Sequence, residues 1–233
     1  MDKGPGRDLD GTRNDETSGS ATLPGRNHQQ VRRRLPAPVR RRQLLESAAV
    51  AFSKKGYQST TMDEVASLAG VTKPIIYQHF ASKRALYNEI VTAAGNRLLV
   101  EIAAAAAKAD NPRQRVELAF AAFFNLLANE TNAFKLLLMS DMQEDRGLAL
   151  ALRAVENTTA DLTYNFIEAD IEGEHRMFLA TAVVGMCMAV ARQWLELLSQ
   201  PDSPPPPTSD EASQMARRLA DLAWAGLRAI HRE

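Results

Sequence analysis

The sequence predicts an all-α protein of about nine helices, and three observations lead to that prediction. From Val39 onward apolar residues recur at helical spacing in almost every segment, and no segment shows the alternation typical of a β-strand. Capping residues, glycines and prolines divide these segments at intervals typical of helices. Hydrophobic residues make up 45% of the 233 residues, which is enough for a packed interior and excludes a wholly disordered chain.

The chain begins with a segment that is poor in large apolar residues. Residues 1–37 are predicted to form a disordered basic tail, because such a composition buries too little surface to offset the loss of chain entropy. Arg32, Arg33 and Arg34 lie near its end. They are either solvated charges or part of an arm that follows a phosphate backbone.

The first predicted helix has one apolar face and ends at Gly56. A spacing of i, i+3, i+4 and i+7 places four apolar residues on one of its faces, namely Leu45, Ala48, Ala49 and Phe52. Gly56 is predicted to end this helix, because glycine adopts the left-handed conformation of a helix C-terminus at low cost.

Two short helices are predicted next. The second helix begins at a capping box formed by Thr61 and Glu64 and ends at Gly70. Thr72 is expected to cap the third helix, where Pro74 is tolerated in the first turn because no intrahelical donor is lost there. The apolar residues expected to pack on the first helix are Val65, Ala66, Leu68, Ala69, Val71, Ile75 and Ile76.

The remaining predicted helices are longer. Ser82 is expected to cap the fourth helix and Ser209 the last, and a proline-rich connector precedes Ser209. The predicted spans are 82–107, 112–129, 131–143, 147–171, 174–199 and 209–231.

The second and third helices, joined by a tight glycine-containing turn, have the form of a helix-turn-helix. In that motif the second helix enters the major groove of DNA, with its N-terminal residues toward the bases. Gln78 is suited to a base edge, Pro74 to a thymine methyl group and the Tyr77 hydroxyl to a phosphate. The residues expected to face outward are Thr72, Lys73, Pro74, Tyr77, Gln78 and His79.

Lys83 is predicted to contact a phosphate. A cation in the first turn of a helix opposes the helix dipole, and a phosphate bound at that N-terminus would reverse the effect. The alternative is a solvated surface charge. Tyr77 and His79 have a comparable alternative as half-buried residues of a three-helix core.

The charges are unevenly distributed, although the net charge of the chain is zero. Residues 26–92 contain 12 Lys and Arg against 4 Asp and Glu, whereas residues 93–233 contain 13 against 19. A basic N-terminal third predicts a polyanionic partner for that part of the chain.

The stretch from Arg42 to Ile90 resembles the DNA-binding domain of TetR-type bacterial transcriptional regulators. The resemblance is carried by a Gly-Tyr pair after the first helix, the Ala-Gly-Val turn, the Tyr-x-His-Phe end of the third helix and the lysine after it. It implies that Thr61, Tyr77 and Lys83 hold phosphates. It further implies that the residues approaching bases are Thr72, Lys73, Pro74, Gln78 and His79.

The resemblance also implies a domain organisation and partners. Residues 38–84 would form the helix-turn-helix domain, and residues 85–233 an effector-binding and dimerisation domain. A homodimer would bind double-stranded DNA at a palindromic operator, and release of DNA on effector binding is the commoner direction in that family.

Large apolar side chains are concentrated in the helices after the fourth. As a set they fit an adaptable cavity for a small apolar effector, although residues with this spacing are also found in an ordinary core. The candidate ligand-binding residues are Phe120, Phe123, Phe124, Leu127, Phe134, Leu138, Met142, Phe166 and Met186.

A stripe of small residues predicts close helix packing near the end of the chain. Thr181, Gly185 and Ala189 are spaced by four, and with the last helix they are expected to form an intersubunit four-helix bundle. The alternative is packing within one chain. The residues expected from the last helix are Leu219, Trp224 and Leu227.

Two longer segments, ELAFAAFFNLLANETNAFKLLL and VVGMCMAVARQWLE, are similar to those of actinobacterial TetR-type regulators of fatty-acid synthesis that respond to long-chain acyl-CoA. This similarity implies a long-chain acyl-CoA or a fatty acid as the effector. The alternative is a repressor of a drug-efflux or catabolic operon that responds to an aromatic or cationic lipophilic compound.

Other classes of protein find little support in the sequence. It has no motif for a catalytic nucleophile, a phosphate-binding loop or a metal site, so we expect no enzyme, cofactor or metal. The single cysteine, Cys187, is expected to be a buried, inert thiol.

The apolar run from Met177 to Ala191 is shorter than the ~20 residues of a membrane span, which predicts a cytoplasmic protein without a membrane partner. A helical module that binds an acidic protein remains a third possibility.

Overall fold

A computed structural model describes residues 36–139, 146–168, 170–200 and 208–230, and every regular element within them is an α-helix. This confirms the predicted all-α fold class. The nine helices are α1 (Ala37–Ser59), α2 (Met62–Leu68), α3 (Lys73–His79), α4 (Lys83–Ala106), α5 (Pro112–Asn129), α6 (Thr131–Leu138), α7 (Arg146–Phe166), α8 (Gly173–Leu197) and α9 (Ser209–Ile230). Residues 1–35 of the predicted tail, the end of the sixth predicted helix at residues 140–143, and residues 201–207 of the proline-rich connector lie outside the described residues. The predicted tail extended to residue 37, but Ala37 already begins α1.

The capping box predicted for α2 is present, whereas α1 extends past the glycine that was predicted to end it. Gly56 has φ 77° and ψ 166° and breaks α1, although helical turns continue as far as Ser59. The capping box of α2 is present, since the Glu64 N–H donates to Thr61 Oγ1 at 3.2 Å and the Thr61 N–H donates to Glu64 Oε2 at 2.9 Å. Gly70 lies in the turn before α3 with φ 66°, which an L side chain rarely adopts.

Two predicted caps differ in the structure. Thr72 is the N-cap residue of α3, but its hydroxyl makes no cap hydrogen bond. The last helix is capped by Thr208 rather than by Ser209. Glu211 lies three residues after Thr208, and the two side chains therefore form a capping box, with Thr208 N to Glu211 Oε2 at 2.8 Å.

Helix α4 connects the first three helices to the rest of the protein. It packs on α1 at one end and on α5, α6 and α7 along its length. Gly95 allows a close approach to α7, since a Cβ atom at this position would lie 2.4 Å from Val155 Cγ2. The predicted domain boundary after residue 84 falls in the first turn of this helix and remains a prediction.

A continuous core runs through the described helices and includes Phe52, Tyr87, Phe124 and Leu195. The expectation that Leu68 joins it is wrong, because this side chain is 55% exposed. Leu68 ends the seven-residue helix α2 and lies off the face formed by Val65, Ala66 and Ala69.

Within the described residues, α8 is long and apolar enough by length and composition to cross a membrane, with a mean hydropathy of 1.5 in its most apolar stretch. The uncharged part of this helix is the run from Met177 to Ala191 that the sequence analysis identified, and charged residues flank it. A core helix of a soluble protein meets the same criterion. Within the protomer 28% of the stretch is fully buried, and its exposed apolar positions include Phe178, Gly185 and Ala189.

Candidate DNA-binding surface and apolar cavity

Helix α3 presents to solvent the face that the sequence predicts for DNA contact. Thr72, Lys73, Pro74, Tyr77 and Gln78 are exposed, whereas Ile76 on the opposite face is fully buried. A rod that is anchored on one side and polar on the other can enter a groove without losing core contacts.

Lys73 is paired on the surface. Its Nζ donates to Asp63 Oδ2 at 2.9 Å, and this hydrogen bond raises the pKa of Lys73 above its ordinary value. Both side chains are more than half exposed, so the pair contributes little to stability. The lysine therefore keeps its positive charge and can exchange its carboxylate partner for a phosphate at small cost.

Thr61 and His79 occupy more constrained positions. The Thr61 hydroxyl is exposed but already accepts the Glu64 N–H, and hydrogen bonds from Lys55 and from the Thr61 N–H lower the pKa of Glu64. The His79 side chain is half-buried, with its ring centroid 6.3 Å from that of Phe80. Contacts of Thr61 and His79 with DNA remain predictions.

The environment of Lys83 differs from the prediction. Its Nζ donates to three main-chain carbonyls, those of Tyr57 at 2.8 Å, Gln58 at 3.1 Å and Thr60 at 2.9 Å. The ammonium group also lies 4.5 Å from the centroid of the Tyr57 ring. An ammonium group has three N–H donors, so all of them are committed and none is directed at a phosphate. The phosphate role is therefore corrected, and Lys83 joins the start of α4 to the end of α1.

Arg41 has a structural role that sequence reasoning did not assign. Its Nε donates to Glu89 Oε1 at 2.7 Å, and its Nη1 donates to the carbonyl oxygen of His79 at 2.8 Å. The guanidinium group lies 4.5 Å from the centroid of the Phe80 ring. Arg41 stands in a run of arginines, and its partner Glu89 is 48 residues away, so no local sequence signal marks the pair.

An apolar cavity lies between α4, α5, α7, α8 and α9. Three of the predicted ligand-binding residues line it, namely Phe120, Phe123 and Phe166. Lining residues that the prediction missed are Ile102, Val116, Ala119, Thr159, Thr163, Ile167, Val183, Val184, Cys187, Met188, Ala223 and Leu227. Their distribution over five helices explains why no single sequence stretch revealed them.

Most of the other predicted ligand-binding residues have different surroundings. Phe124, Leu127, Phe134 and Leu138 are buried in the core and do not line the cavity, so their assignment is corrected. Met186 is half-buried and also outside the lining. Met142 lies outside the described residues.

The cavity is small and has no charged lining. Its free volume is about 70 Å³. The hydroxyls of Thr159 and Thr163 donate to carbonyls of their own helix, to Val155 at 2.7 Å and to Thr159 at 2.8 Å. Burial raises the pKa of the Cys187 thiol to about 12, so the thiol is protonated at neutral pH and not reactive.

A larger groove of about 620 Å³ lies between α1, α4 and the junction of α5 and α6. Its lining includes charged side chains, namely Arg41, Arg42, Glu46, Arg97 and Glu130. Arg97 and Glu130 form an ion pair, and burial raises the pKa of Glu130. This lining is unsuited to a wholly apolar molecule.

The small-residue stripe of α8 is on the surface of the protomer. Thr181, Gly185 and Ala189 are exposed, and a Cβ atom at Gly185 would meet no atom within 4 Å. Among the predicted partners in α9, Leu219 is only 7% exposed and therefore belongs to intrachain packing, so its assignment to a dimer interface is corrected. Leu227 lines the cavity and is half-buried, as is Trp224, and the place of these two in an interface remains a prediction.

Among the described residues, no group of three or more His, Cys, Asp or Glu side chains is placed to hold a metal ion.

Comparisons with known proteins agree with this geometry. The sequence model of a family described as bacterial regulatory proteins, tetR family, matches residues 44–90. The HTH-type transcriptional activator FasR of Mycolicibacterium smegmatis is 30% identical over 196 residues, which are 83% of this chain and 85% of that protein.

Solved structures show the same fold. A TetR-like transcriptional regulator from Rhodococcus sp. RHA1 superposes with a TM-score of 0.65 at 26% identity, over 84% of this chain and 99% of that one. FadR from Bacillus subtilis, in complex with stearoyl-CoA, superposes with a TM-score of 0.65 at 13% identity, over 79% of this chain and 98% of that one.

Proposed function

The chain belongs to the TetR family of bacterial transcriptional regulators, and we propose that it binds a palindromic operator as a homodimer and changes its DNA affinity when an apolar effector fills the helical body. It is therefore a regulator and not an enzyme. We place its action in the cytoplasm, where the operator is found.

The exposed face of α3 is the observation that carries the DNA-binding part of the proposal. Gln78 and Tyr77 project from a helix whose other face is fixed by buried Ile76. Gln can pair with adenine through two hydrogen bonds in the major groove, and Lys73 supplies a cation at the start of the same helix. We assign base contacts to the N-terminal half of α3 and to Gln78.

The exposed apolar faces of α8 and α9 support a homodimer. Phe178 is 68% exposed and lies on the face of α8 that carries Gly185 and Ala189, and Leu222 of α9 is 59% exposed. Uncovered apolar area of this kind is costly in water and is removed by association. A second copy of the chain is the occupant we propose, because a palindromic operator requires two recognition helices.

The apolar lining of the cavity supports an effector with a long hydrocarbon chain. In the described part of the chain no carboxylate lines the cavity, so a cationic lipophilic compound would find no counter-charge there. We propose a long-chain acyl-CoA or fatty acid, in keeping with the ligand of the FadR complex. An aromatic compound is the alternative, since three phenylalanines line the cavity.

The size of the cavity gives a mechanism for the response. Ligand pockets typically measure ~300–1,000 Å³, whereas the free volume here is about 70 Å³. An acyl chain can enter only if the surrounding helices separate. Ile102 of α4 is part of the lining, so we propose that entry displaces α4 and changes the spacing of the two recognition helices, with a coupling free energy of about 1–3 kcal/mol.

Mass spectrometry of the denatured, freshly purified full chain tests the effector. A co-purified fatty acyl species is the expected result. Addition of stearoyl-CoA should change the affinity for DNA at least fivefold, measured on the duplex that the protein enriches from a random pool. An aromatic compound in place of the acyl species, with no response to stearoyl-CoA, would contradict the lipid proposal and favour the alternative.

A further inference from the structure

Helix α3 is joined to α4, the helix that would carry the effector signal, by the three residues 80–82, but the two helices pack little against each other. Helix α3 packs chiefly against α2, and its one fully buried side chain is that of Ile76. Displacement of α4 must nevertheless reach α3 if an effector is to alter DNA binding. Arg41 connects the two helices by direct hydrogen bonds.

The contacts of Arg41 span three helices. From α1 the guanidinium group donates two hydrogen bonds to the Glu89 carboxylate of α4, from Nε at 2.7 Å and from Nη2 at 2.5 Å. A third hydrogen bond, from Nη1, reaches the carbonyl oxygen of His79, the last residue of α3, at 2.8 Å. The planar fork of arginine fixes the direction of all three bonds at once, which a lysine cannot do.

The connection joins the C-terminal end of α3 to the helix that lines the apolar cavity. The final carbonyls of a helix lack intrahelical partners, and a cation there also interacts favourably with the helix dipole. Buried Phe80, which follows His79, packs under the guanidinium group at 4.5 Å from its ring centroid. Glu89 precedes the cavity-lining Ile102 by 13 residues on the same helix, which is a distance of ~20 Å along a rigid rod.

We propose that Arg41 and Glu89 act as positioning residues that fasten the C-terminal end of α3 to α4, so that a displacement of α4 at the cavity moves the recognition helix. This inference rests on the proposed function and adds the link between its two sites. The Arg41 and Glu89 side chains are 40% and 33% exposed, so solvent screens the pair and limits its contribution to folding stability, although its bidentate geometry is favourable. The main effect of the pair is to fix the position of α3 relative to α4.

A double-mutant cycle in the full chain tests the proposal. The variants are Glu89→Gln, Arg41→Gln and their combination, and the matched control is Glu117→Gln, which breaks the surface pair of Glu117 with Arg113 in α5. The measured quantity is the ratio of duplex affinities with and without stearoyl-CoA, using the duplex that the parent protein enriches from a random pool. Each single variant should reduce this ratio at least threefold, and the double variant should reduce it no further, because the two side chains act as one unit.

Unfolding midpoints in urea separate positioning from stability. The Glu89→Gln variant and the control should have similar urea midpoints. Arg41→Lys keeps the charge, so it should have the parent's urea midpoint and still lose the effect of stearoyl-CoA on duplex affinity. Single variants that keep the parent's ratio would overturn the proposal. So would losses that add in the double variant.

Failure of the proposed effector can be distinguished from failure of this link. If stearoyl-CoA leaves the parent's DNA affinity unchanged, the effector assignment is wrong and the cycle is read from ligand-free affinities alone. A non-additive loss of three- to tenfold in operator affinity then supports the positioning role. Parent-like affinity in both single variants contradicts it.

Discussion

Gln78 and Lys83 are five residues apart in the sequence, yet the structure gives their side chains opposite environments. Gln78 is exposed at the end of α3, whereas the Lys83 ammonium group donates to three carbonyls at the end of α1 and just after it. Both have the polar chemistry of a DNA contact. Because of their different positions, Gln78 can contact a base, whereas Lys83 holds two helices together.

The substitution Gln78→Ala should relax discrimination at one base position. Loss of the paired amide contact is expected to cost ~1–3 kcal/mol on the preferred duplex and little on the duplex mutated at that position. Competition titrations with single-base variants measure this, with Gln214→Ala on the exposed surface of α9 as the control. A variant with the parent's preference and affinity would show that Gln78 does not contact a base.

The substitution Lys83→Met should destabilise the fold and leave the salt dependence of DNA binding unchanged. The loss of three hydrogen bonds from a charged donor is expected to lower the free energy of unfolding by ~1–3 kcal/mol. Lys73→Met is the matched comparison, because its exposed ammonium group should contribute about one unit to the salt slope and little to stability.

Urea unfolding and duplex titrations at several salt concentrations measure both quantities for the two lysine variants. A Lys83→Met protein with the parent's stability and a salt slope lower by one would restore the phosphate role.

At the scale of helices, α4 is held at its first turn and at its middle. Lys83 ties its first turn to the end of α1, and Gly95 brings its middle against α7 without space for a side chain. Ile102 then reaches the apolar cavity. A helix held in this way moves as a rod.

The substitution Gly95→Ala should force α4 and α7 apart. The added methyl group would lie 2.4 Å from Val155 Cγ2, so overpacking is expected to lower the free energy of unfolding by ~1–3 kcal/mol, despite the better helix propensity of alanine. Urea unfolding at one fixed protein concentration measures the change. The double variant with Val155→Ala should recover most of the loss, and a Gly95→Ala protein more stable than the parent would refute the close contact.

The helices themselves were largely predictable from local chemistry. The capping box at Thr61 and the left-handed glycines at positions 56 and 70 depend on residues within a few positions of one another, and the structure has them where the sequence predicts. The cavity was not predictable in this way. Val116, Thr163 and Leu227 become neighbours only when α5, α7 and α9 pack together.

The partners of Lys83 and Arg41 were missed for a related reason. Carbonyl acceptors carry no sequence signature, since every residue has one, and the Glu89 carboxylate is distant in the chain. The helix-dipole argument and the family resemblance therefore predicted a phosphate at Lys83. The folded geometry assigns that charge to the protein's own backbone.

At the scale of the whole molecule, apolar surface on α8 and α9 is left uncovered in one protomer. The exposed side chains of Phe178 and Leu222 and the small residues of the α8 stripe would form the proposed four-helix interface. Two recognition helices could then meet successive turns of DNA, with centres ~34 Å apart or a multiple of it.

The double variant Phe178→Glu and Leu222→Glu should convert the dimer to a monomer. Carboxylates at the centre of an apolar interface would be desolvated without partners, and operator affinity should fall with the loss of one recognition helix. Sedimentation velocity measures the association state. Val100→Glu, at an apolar side chain of α4 that is 65% exposed, is the control and should remain dimeric. A dimeric double variant would place the interface elsewhere.

The central claim is that α3 presents a sequence-reading face to duplex DNA. Fluorescence anisotropy titration of the full chain with its enriched palindromic duplex and a scrambled duplex, at two salt concentrations, tests it most directly. We expect the palindrome to bind at least a thousandfold more tightly, with both affinities falling as salt rises. Equal affinity for the two duplexes, or no duplex binding at low salt, would contradict the claim.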